Sequence, residues 1–259
     1  MSARPTIVLV PGMWHGGWAW EHVAKLLEAE GYPCVPVTLP GKDRAPGDFT
    51  FRGHCDQLSR ILAEIPGDVV LVGHSYGGAL LTEVGAAPRV RALVYLSAFC
   101  LEPGESVSAA NDAVPGSQLG EDTIRLVEGY LVVDPETARH GFYHDCAPAD
   151  AARAAERLTP EHPSTRTTAV TNAAWRTVPS HFVICTQDRA CTPEVQRKMA
   201  TRTGSATELE SSHSPMLSMP ESVARTIVEF ATEHTVSAPL QVARKWAGSA
   251  TGADNSMKE

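Results

Sequence analysis

The sequence predicts an α/β fold, a mostly parallel central sheet flanked by helices. Two observations point there. Short β-branched apolar runs alternate with amphipathic segments along the first hundred residues, and strand–helix–strand at this spacing calls for right-handed crossovers into a parallel sheet. The alternation then stops at Leu101 and resumes near Val178, so an inserted segment divides an otherwise regular chain.

Taken in order, Thr6–Val10 is a β-branched run that stops at Pro11-Gly12. The next segment, 18–30, is predicted helical, with Trp20, Val23, Leu26 and Leu27 on one face and Gly31 at the C-terminal stop. Residues 34–39 read as a second strand, broken by Pro40-Gly41. Leu58, Ile61, Leu62 and Ile65 recur at the period of a helix over 54–65. A buried strand over 68–72, a helix over 76–87 and a strand over 90–98 follow. Within residues 101–178 no strand is predicted, and the segment reads as helical. Ile124, Val127 and Leu131 share a helical face over 121–131, an Ala-rich helix starts at the N-cap Asp150, and 165–175 is a third candidate. Beyond it come a strand over 180–186, a helix over 193–202 with Thr192 as cap and Pro193 at its first position, a strand over 207–210 and a helix over 220–234. The expected organisation is a core of residues 1–100 and 179–235, a helical cap of 101–178, and an extension of 236–259 whose end, from Gly248, is expected to be disordered.

Composition narrows the function. With 43% hydrophobic and 20% charged residues the chain is an ordinary globule. The longest apolar run, Ala92 to Leu96, is far short of the roughly 20 residues a spanning helix needs. The net charge of −8 argues against nucleic acid or an anionic membrane as partner. Six cysteines without a CxxC pair, in a chain of 259 residues, read as reduced thiols of a cytoplasmic protein. Oligomeric state is left open, a homodimer included.

The chemistry is carried by 68–78, where a strand runs into Gly73-His74-Ser75-Tyr76-Gly77-Gly78 and then a helix. This is the G-x-S-x-G nucleophile elbow. A serine turning sharply between strand and helix needs neighbours without side-chain bulk two residues before and two after. A serine hydroxyl also needs a base, and in this elbow the order along the chain is serine, acid, histidine. His213, in Ser212-His213-Ser214-Pro215, falls just before the last helix, and Asp188 falls directly past a strand. Asp188 would fix the imidazole tautomer. Glu102 is the rival acid. The Gly-rich loop from Pro11 to Trp18 would supply a second backbone N–H, so the amides of Met13 and Tyr76 are assigned to an oxyanion hole. Trp14 and Met216 are the candidate substrate-binding side chains, with Tyr76 and Leu217 nearby.

Over about residues 5–235 the chain resembles the α/β-hydrolase fold superfamily. Within it, it is most similar to the branch of hydroxynitrile lyases, plant methylesterases and pyrethroid-hydrolase-like esterases. The resemblance rests on Pro11-Gly-Met-Trp-His-Gly-Gly-Trp18, Gly73-His-Ser-Tyr-Gly-Gly78, Leu93-Val-Tyr-Leu-Ser-Ala-Phe99, Thr186-Gln-Asp-Arg-Ala190 and Ser212-His-Ser-Pro215. It implies Ser75 as nucleophile, Asp188 as acid, His213 as base, the Met13 and Tyr76 amides as oxyanion donors, and a helical cap inserted after the sixth strand. Two departures stand out. Pro11 replaces a histidine common among relatives, and Ser214 stands where the hydroxynitrile lyases carry a lysine, so cyanohydrin cleavage loses its charged partner.

Other residues carry less. His140 and His144 share a helical spacing but lack further ligands at metal-site spacing, so no metal and no organic cofactor is expected. His74 reads as a packed residue rather than a second base, and Trp175 as core or pocket. The expected activity is that of a serine esterase or lactonase on a small, largely apolar carboxylic ester. Two alternatives remain: acyl transfer, C–C cleavage or lyase chemistry in the same site, and a ligand receptor that retains the site for sensing.

Overall fold

The computed structural model describes residues 4–42, 47–113 and 123–235. The extension expected over 236–259 lies outside the described residues. Six strands build one sheet: β1 (Thr6–Val10), β2 (Cys34–Pro36), β3 (Val69–His74), β4 (Val90–Leu96), β7 (Ser180–Cys185) and β8 (Ser205–Leu209). Their order is β2-β1-β3-β4-β7-β8, and every pairing is parallel. β3 and β7 are buried along their whole length, as strands covered on both faces must be, and both are mostly apolar, with His74 and the Ser180-His181 start of β7 as the polar members. β8 is an edge, and its polar Ser-Ala-Thr-Glu start is exposed. The chain leaves β1 for β2 on one side and returns to place β3 on the other. The loops after β1 and β3 therefore diverge, which opens a crevice at the carboxyl edge.

The helices follow the apolar periodicity. α1 (Glu21–Ala29) is preceded by a 3₁₀ turn, Gly17–Trp20, and buries Val23, Ala24 and Leu27. α2 (Phe51–Glu64) starts three residues earlier than its apolar face predicts, because the Thr50 hydroxyl accepts the Gly53 N–H at 3.2 Å. α3 (Gly77–Val84) follows the elbow.

The insertion departs from expectation. It comprises α4 (Val107–Asp112), a hairpin of β5 (Ile124–Val127) and β6 (Tyr130–Val133), α5 (Pro135–Phe142), α6 (Pro148–Glu156), α7 (Ser164–Thr167) and a 3₁₀ turn at Ala174–Arg176. The helix expected over 121–131 is thus a hairpin where described. Glu128 and Gly129 both take left-handed φ, 49° and 84°, which is the two-residue turn that matches strand twist, and the flanking Ile124, Val127, Val132 and Val133 favour strands. α6 begins at Pro148, two residues ahead of the expected cap, so Asp150 lies inside the first turn. Residues 165–175 hold only the two short turns. In chain order among the described residues the insertion follows the fourth strand, not the sixth, since the sheet has four strands before it and two after.

After the insertion come α8 (Pro193–Ala200), α9 (Pro215–Ser218) and α10 (Pro220–His234), the last packed on α1. Thr192 sits at the cap position of α8, but its buried hydroxyl has no partner among the described residues, and Pro193 alone sets the helix entry. No helix of the described residues is long and apolar enough to cross a membrane.

Insertion and core are joined by a buried ion pair. Lys42, past β2, places Nζ 2.6 Å from Glu161 Oε2 and 3.3 Å from the Pro160 carbonyl, and both charged side chains are 1% exposed. The same Glu161 oxygen accepts the Trp14 N–H at 3.0 Å. Two stability predictions follow from this packing. Lys42→Met leaves a carboxylate buried without its cation and is expected to cost about 3–5 kcal/mol in urea unfolding; a loss within experimental error would contradict the buried pair. A Cβ at Gly77 would stand 2.7 Å from the Val10 carbonyl oxygen and 2.9 Å from that of Pro11, neither of which can yield. Gly77→Ala is therefore expected to lower stability by about 1–3 kcal/mol, read from the same transition.

Candidate active site

The carboxyl edge of the sheet gathers residues that the sequence holds far apart. Ser75 follows β3 with φ of 52°, a left-handed conformation that costs a side-chain-bearing residue about 1–2 kcal/mol. The turn is tied down from three sides: the Ser75 N–H donates to the Leu96 carbonyl at 3.2 Å, and its own carbonyl accepts the N–H groups of Gly78 at 2.9 Å and Phe99 at 3.1 Å. The glycines at 73 and 77 are steric necessities, since a Cβ at Gly73 would meet the Gly77 carbonyl carbon at 2.8 Å. The Ser75 hydroxyl makes no hydrogen bond among the described residues and faces a cavity that His213 also lines.

His213 follows β8 and is 3% exposed. Its Nδ1–H donates to Asp188 Oδ2 at 2.6 Å, so in the neutral ring Nε2 is the nitrogen left to accept a proton. Asp188, past β7, is oriented by every neighbour: Oδ1 accepts the N–H groups of Ala190 at 2.7 Å and Cys191 at 3.0 Å, and Oδ2 accepts Gln196 Nε2 at 3.0 Å and the Ser97 hydroxyl. Ser97 lies 3.2 Å from His213 Nδ1 as well. Sequence reasoning did not single out Ser97; its position depends on a left-handed φ of 43° at the end of β4, which no motif announces. Glu102, the rival acid, instead pairs with Arg176 and Arg202.

His74 is fully buried, donating Nε2–H to the His213 carbonyl at 2.7 Å, and burial together with the neighbouring His213 and His15 holds its pKa well below the usual histidine value. It is a packed support of the His213 loop. His15 is held to a pKa of about 3, chiefly by burial, and its neutral ring bridges the Met13 carbonyl (2.7 Å) and the Tyr143 hydroxyl (2.6 Å). The Met13–Trp14 peptide is thereby fixed at both ends, its carbonyl by His15 and its N–H by Glu161. The Met13 and Tyr76 amide N–H groups have no acceptor among the described residues.

The cavity is narrow, about 40 Å³, and is lined by Met13, Trp14 and Phe99 and by insertion residues that include Phe142, Ile124 and Arg166. Phe142 packs between Trp14 and His213, at ring distances of 5.8 and 5.5 Å. Trp14 thus lines the cavity. Met216 does not: it is 0% exposed on α9, which packs against α10 and the 3₁₀ turn Gly17–Trp20, so it belongs to the core. Tyr76 likewise points away, its hydroxyl 2.9 Å from His54 Nδ1, and Leu217 is not on the cavity. Trp175 is a strut, donating Nε1–H to the Leu101 carbonyl at 2.9 Å.

The comparisons with known proteins agree with this architecture. Residues 7–226 match the model of the Alpha/beta hydrolase family. An alpha/beta hydrolase of Aspergillus novofumigatus is 29% identical over 89% of this chain and 98% of its own length. Methylesterase 17 of Arabidopsis thaliana is 30% identical over 83% and 87% of the two chains. The crystal structure of a pyrethroid hydrolase from Sphingobium faniae superposes with a TM-score of 0.77 at 26% identity, covering 88% of this chain and 97% of that one. With its six-stranded parallel sheet, its serine elbow and these relatives along most of its length, the chain belongs to the alpha/beta hydrolase family, in its esterase-like branch.

Proposed function

We propose that this enzyme is a serine carboxylesterase or lactonase that cleaves small carboxylic esters through Ser75, His213 and Asp188. The observation that carries the reading is the Asp188–His213 hydrogen bond of 2.6 Å beside a cavity that the unengaged Ser75 hydroxyl enters. In this reading Ser75 Oγ attacks the ester carbonyl while His213 Nε2 takes its proton. Asp188 holds the imidazole in the Nδ1–H tautomer and stabilises the imidazolium as it forms. The free N–H groups of Met13 and Tyr76 receive the oxyanion, the first of them directly before the Met13–Trp14 peptide that His15 and Glu161 hold. His213 returns the proton to the leaving alcohol, and water then attacks the acyl-enzyme by the same route.

Four further features support the details. The apolar wall of Met13, Trp14, Phe99 and Phe142 suits a compact substrate. The insertion acts as the cap, because its Phe142 ring covers His213 and its Tyr143 and Glu161 grip the Met13–Trp14 loop. Ser214, directly after His213, is buried and uncharged, so no cation stands there to stabilise a cyanide leaving group. The six free thiols support a cytoplasmic setting.

Hydrolysis of short-chain esters in ¹⁸O-labelled water tests the proposal. Labelled oxygen is expected in the acid product; transfer of the acyl group to an added alcohol without label would overturn hydrolysis as the main course. Ser75→Ala is expected to abolish turnover, and Asp188→Asn to lower kcat by about 10⁴-fold, because the amide favours the wrong imidazole tautomer. Retained turnover in either variant would contradict the assigned roles.

The buried histidines make a separate prediction about stability. Folded His15 and His74 stay neutral at a pH where the unfolded chain takes up protons, so stability is full above about pH 6.5 and falls as the pH drops toward 3. His15 contributes a slope of about 1.4 kcal/mol per pH unit in that window, and His74 adds to the decline in the same direction. His15→Gln is expected to flatten the decline between pH 6.5 and 4.5 in denaturant titrations; an unchanged decline would show that His15 is protonated in the folded protein.

A further inference from the structure

The insertion brings one group into the cavity that ester cleavage does not use. Arg166, on α7, is the single lining residue with a permanent charge, and no carboxylate lines the cavity among the described residues. Arg166 is half-buried, and its guanidinium has no ion pair or hydrogen bond among the described residues, whereas Arg52, Arg91, Arg176, Arg197 and Arg202 all meet carboxylates. Its backbone is held in place: the Arg166 N–H donates to the Pro163 carbonyl at 3.0 Å, and its carbonyl accepts the Ser108 hydroxyl of α4 at 3.0 Å. α4 also carries Asn111 to the cavity wall, and the Asn111 Oδ1 is buried without a partner among the described residues. Two polar groups with spare hydrogen-bonding capacity therefore stand on two joined elements, in a wall that is otherwise largely apolar.

A guanidinium that surrenders hydration against apolar walls is destabilising unless an anion meets it. Its planar fork fits a carboxylate with two parallel hydrogen bonds, and the Asn111 carboxamide can add a third only through its Nδ2–H, its Oδ1 being an acceptor suited to a guanidinium or hydroxyl donor. The chain's net charge of −8 repels anions at long range, so an anionic substrate needs such a local cation, and a single charge is easier to admit than two. Resting on the esterase reading, we infer that the preferred substrate is a monoanionic ester, with a carboxylate besides the scissile ester, and that Arg166 and Asn111 receive that carboxylate.

Calorimetric binding to the Ser75→Ala protein tests this without turnover. Monomethyl glutarate is compared with dimethyl glutarate, which places the charge on the acyl half, and acetoxyacetate with its methyl ester, which places it on the alcohol half. In at least one pair the charged member is expected to bind about tenfold tighter or better. Adding Arg166→Met should erase that preference, Arg166→Lys should restore part of it, and Asn111→Ala should weaken it. If Arg166→Met is poorly folded by circular dichroism, Arg166→Gln serves for the same comparison. Equal binding within both pairs, or a preference that survives loss of the guanidinium, would overturn the inference. Turnover of the uncharged diesters by the wild-type protein reports on the esterase reading separately.

Discussion

The left-handed turn at Ser75 is the constraint on which the rest of this molecule depends. A serine at φ of 52° between a buried strand and a helix is held there by surrounding structure. β3 is buried at all six positions and pinned between β1 and β4, and the ends of β3 and β4 are stitched together through Ser75 itself. Four non-glycine residues among those described have positive φ, and three of them, Trp14, Ser75 and Ser97, follow β1, β3 and β4 at the same edge of the sheet. Strain of about 1–3 kcal/mol each is thus concentrated where the candidate chemistry lies, and the apolar core of the sheet offsets it.

A second layer of order comes from the insertion. Glu161 accepts from Lys42 and Trp14, Tyr143 donates to His15, and Phe142 covers His213. Each contact joins the insertion to a loop that follows a sheet strand. The insertion therefore bears on the Met13–Trp14 peptide and on the imidazole, so under the proposed mechanism the segment that shapes the cavity also holds the groups that act there. Arg166 and Asn111 line the same cavity from α7 and α4.

The parts of this arrangement that were legible in the sequence are those imposed by local sterics or by chain order. Gly73, Ser75 and Gly77 announce the elbow because only small neighbours permit it, and Asp188 and His213 fall past strands in the order the elbow demands. What stayed hidden depends on long-range meeting. Lys42 and Glu161 are 119 residues apart and carry no motif. Ser97 gains its place through a left-handed turn that its neighbours impose. The hairpin at Ile124–Val133 was misread because Ile124, Val127 and Leu131 happen to fit a helical period, while the informative pair, Glu128-Gly129, lay between them. Met216 was assigned to the pocket from its nearness to His213 in sequence, but α9 turns it into the core.

The central claim is that this edge of the sheet holds a serine activated by a histidine. Intact-mass analysis after treatment with a fluorophosphonate, followed by peptide mapping, tests it most directly. The account predicts a single phosphonyl adduct on Ser75 that forms readily in the wild-type protein and is lost in His213→Ala. Labelling that spares Ser75 in the folded protein, or that proceeds equally well without the imidazole, would contradict it.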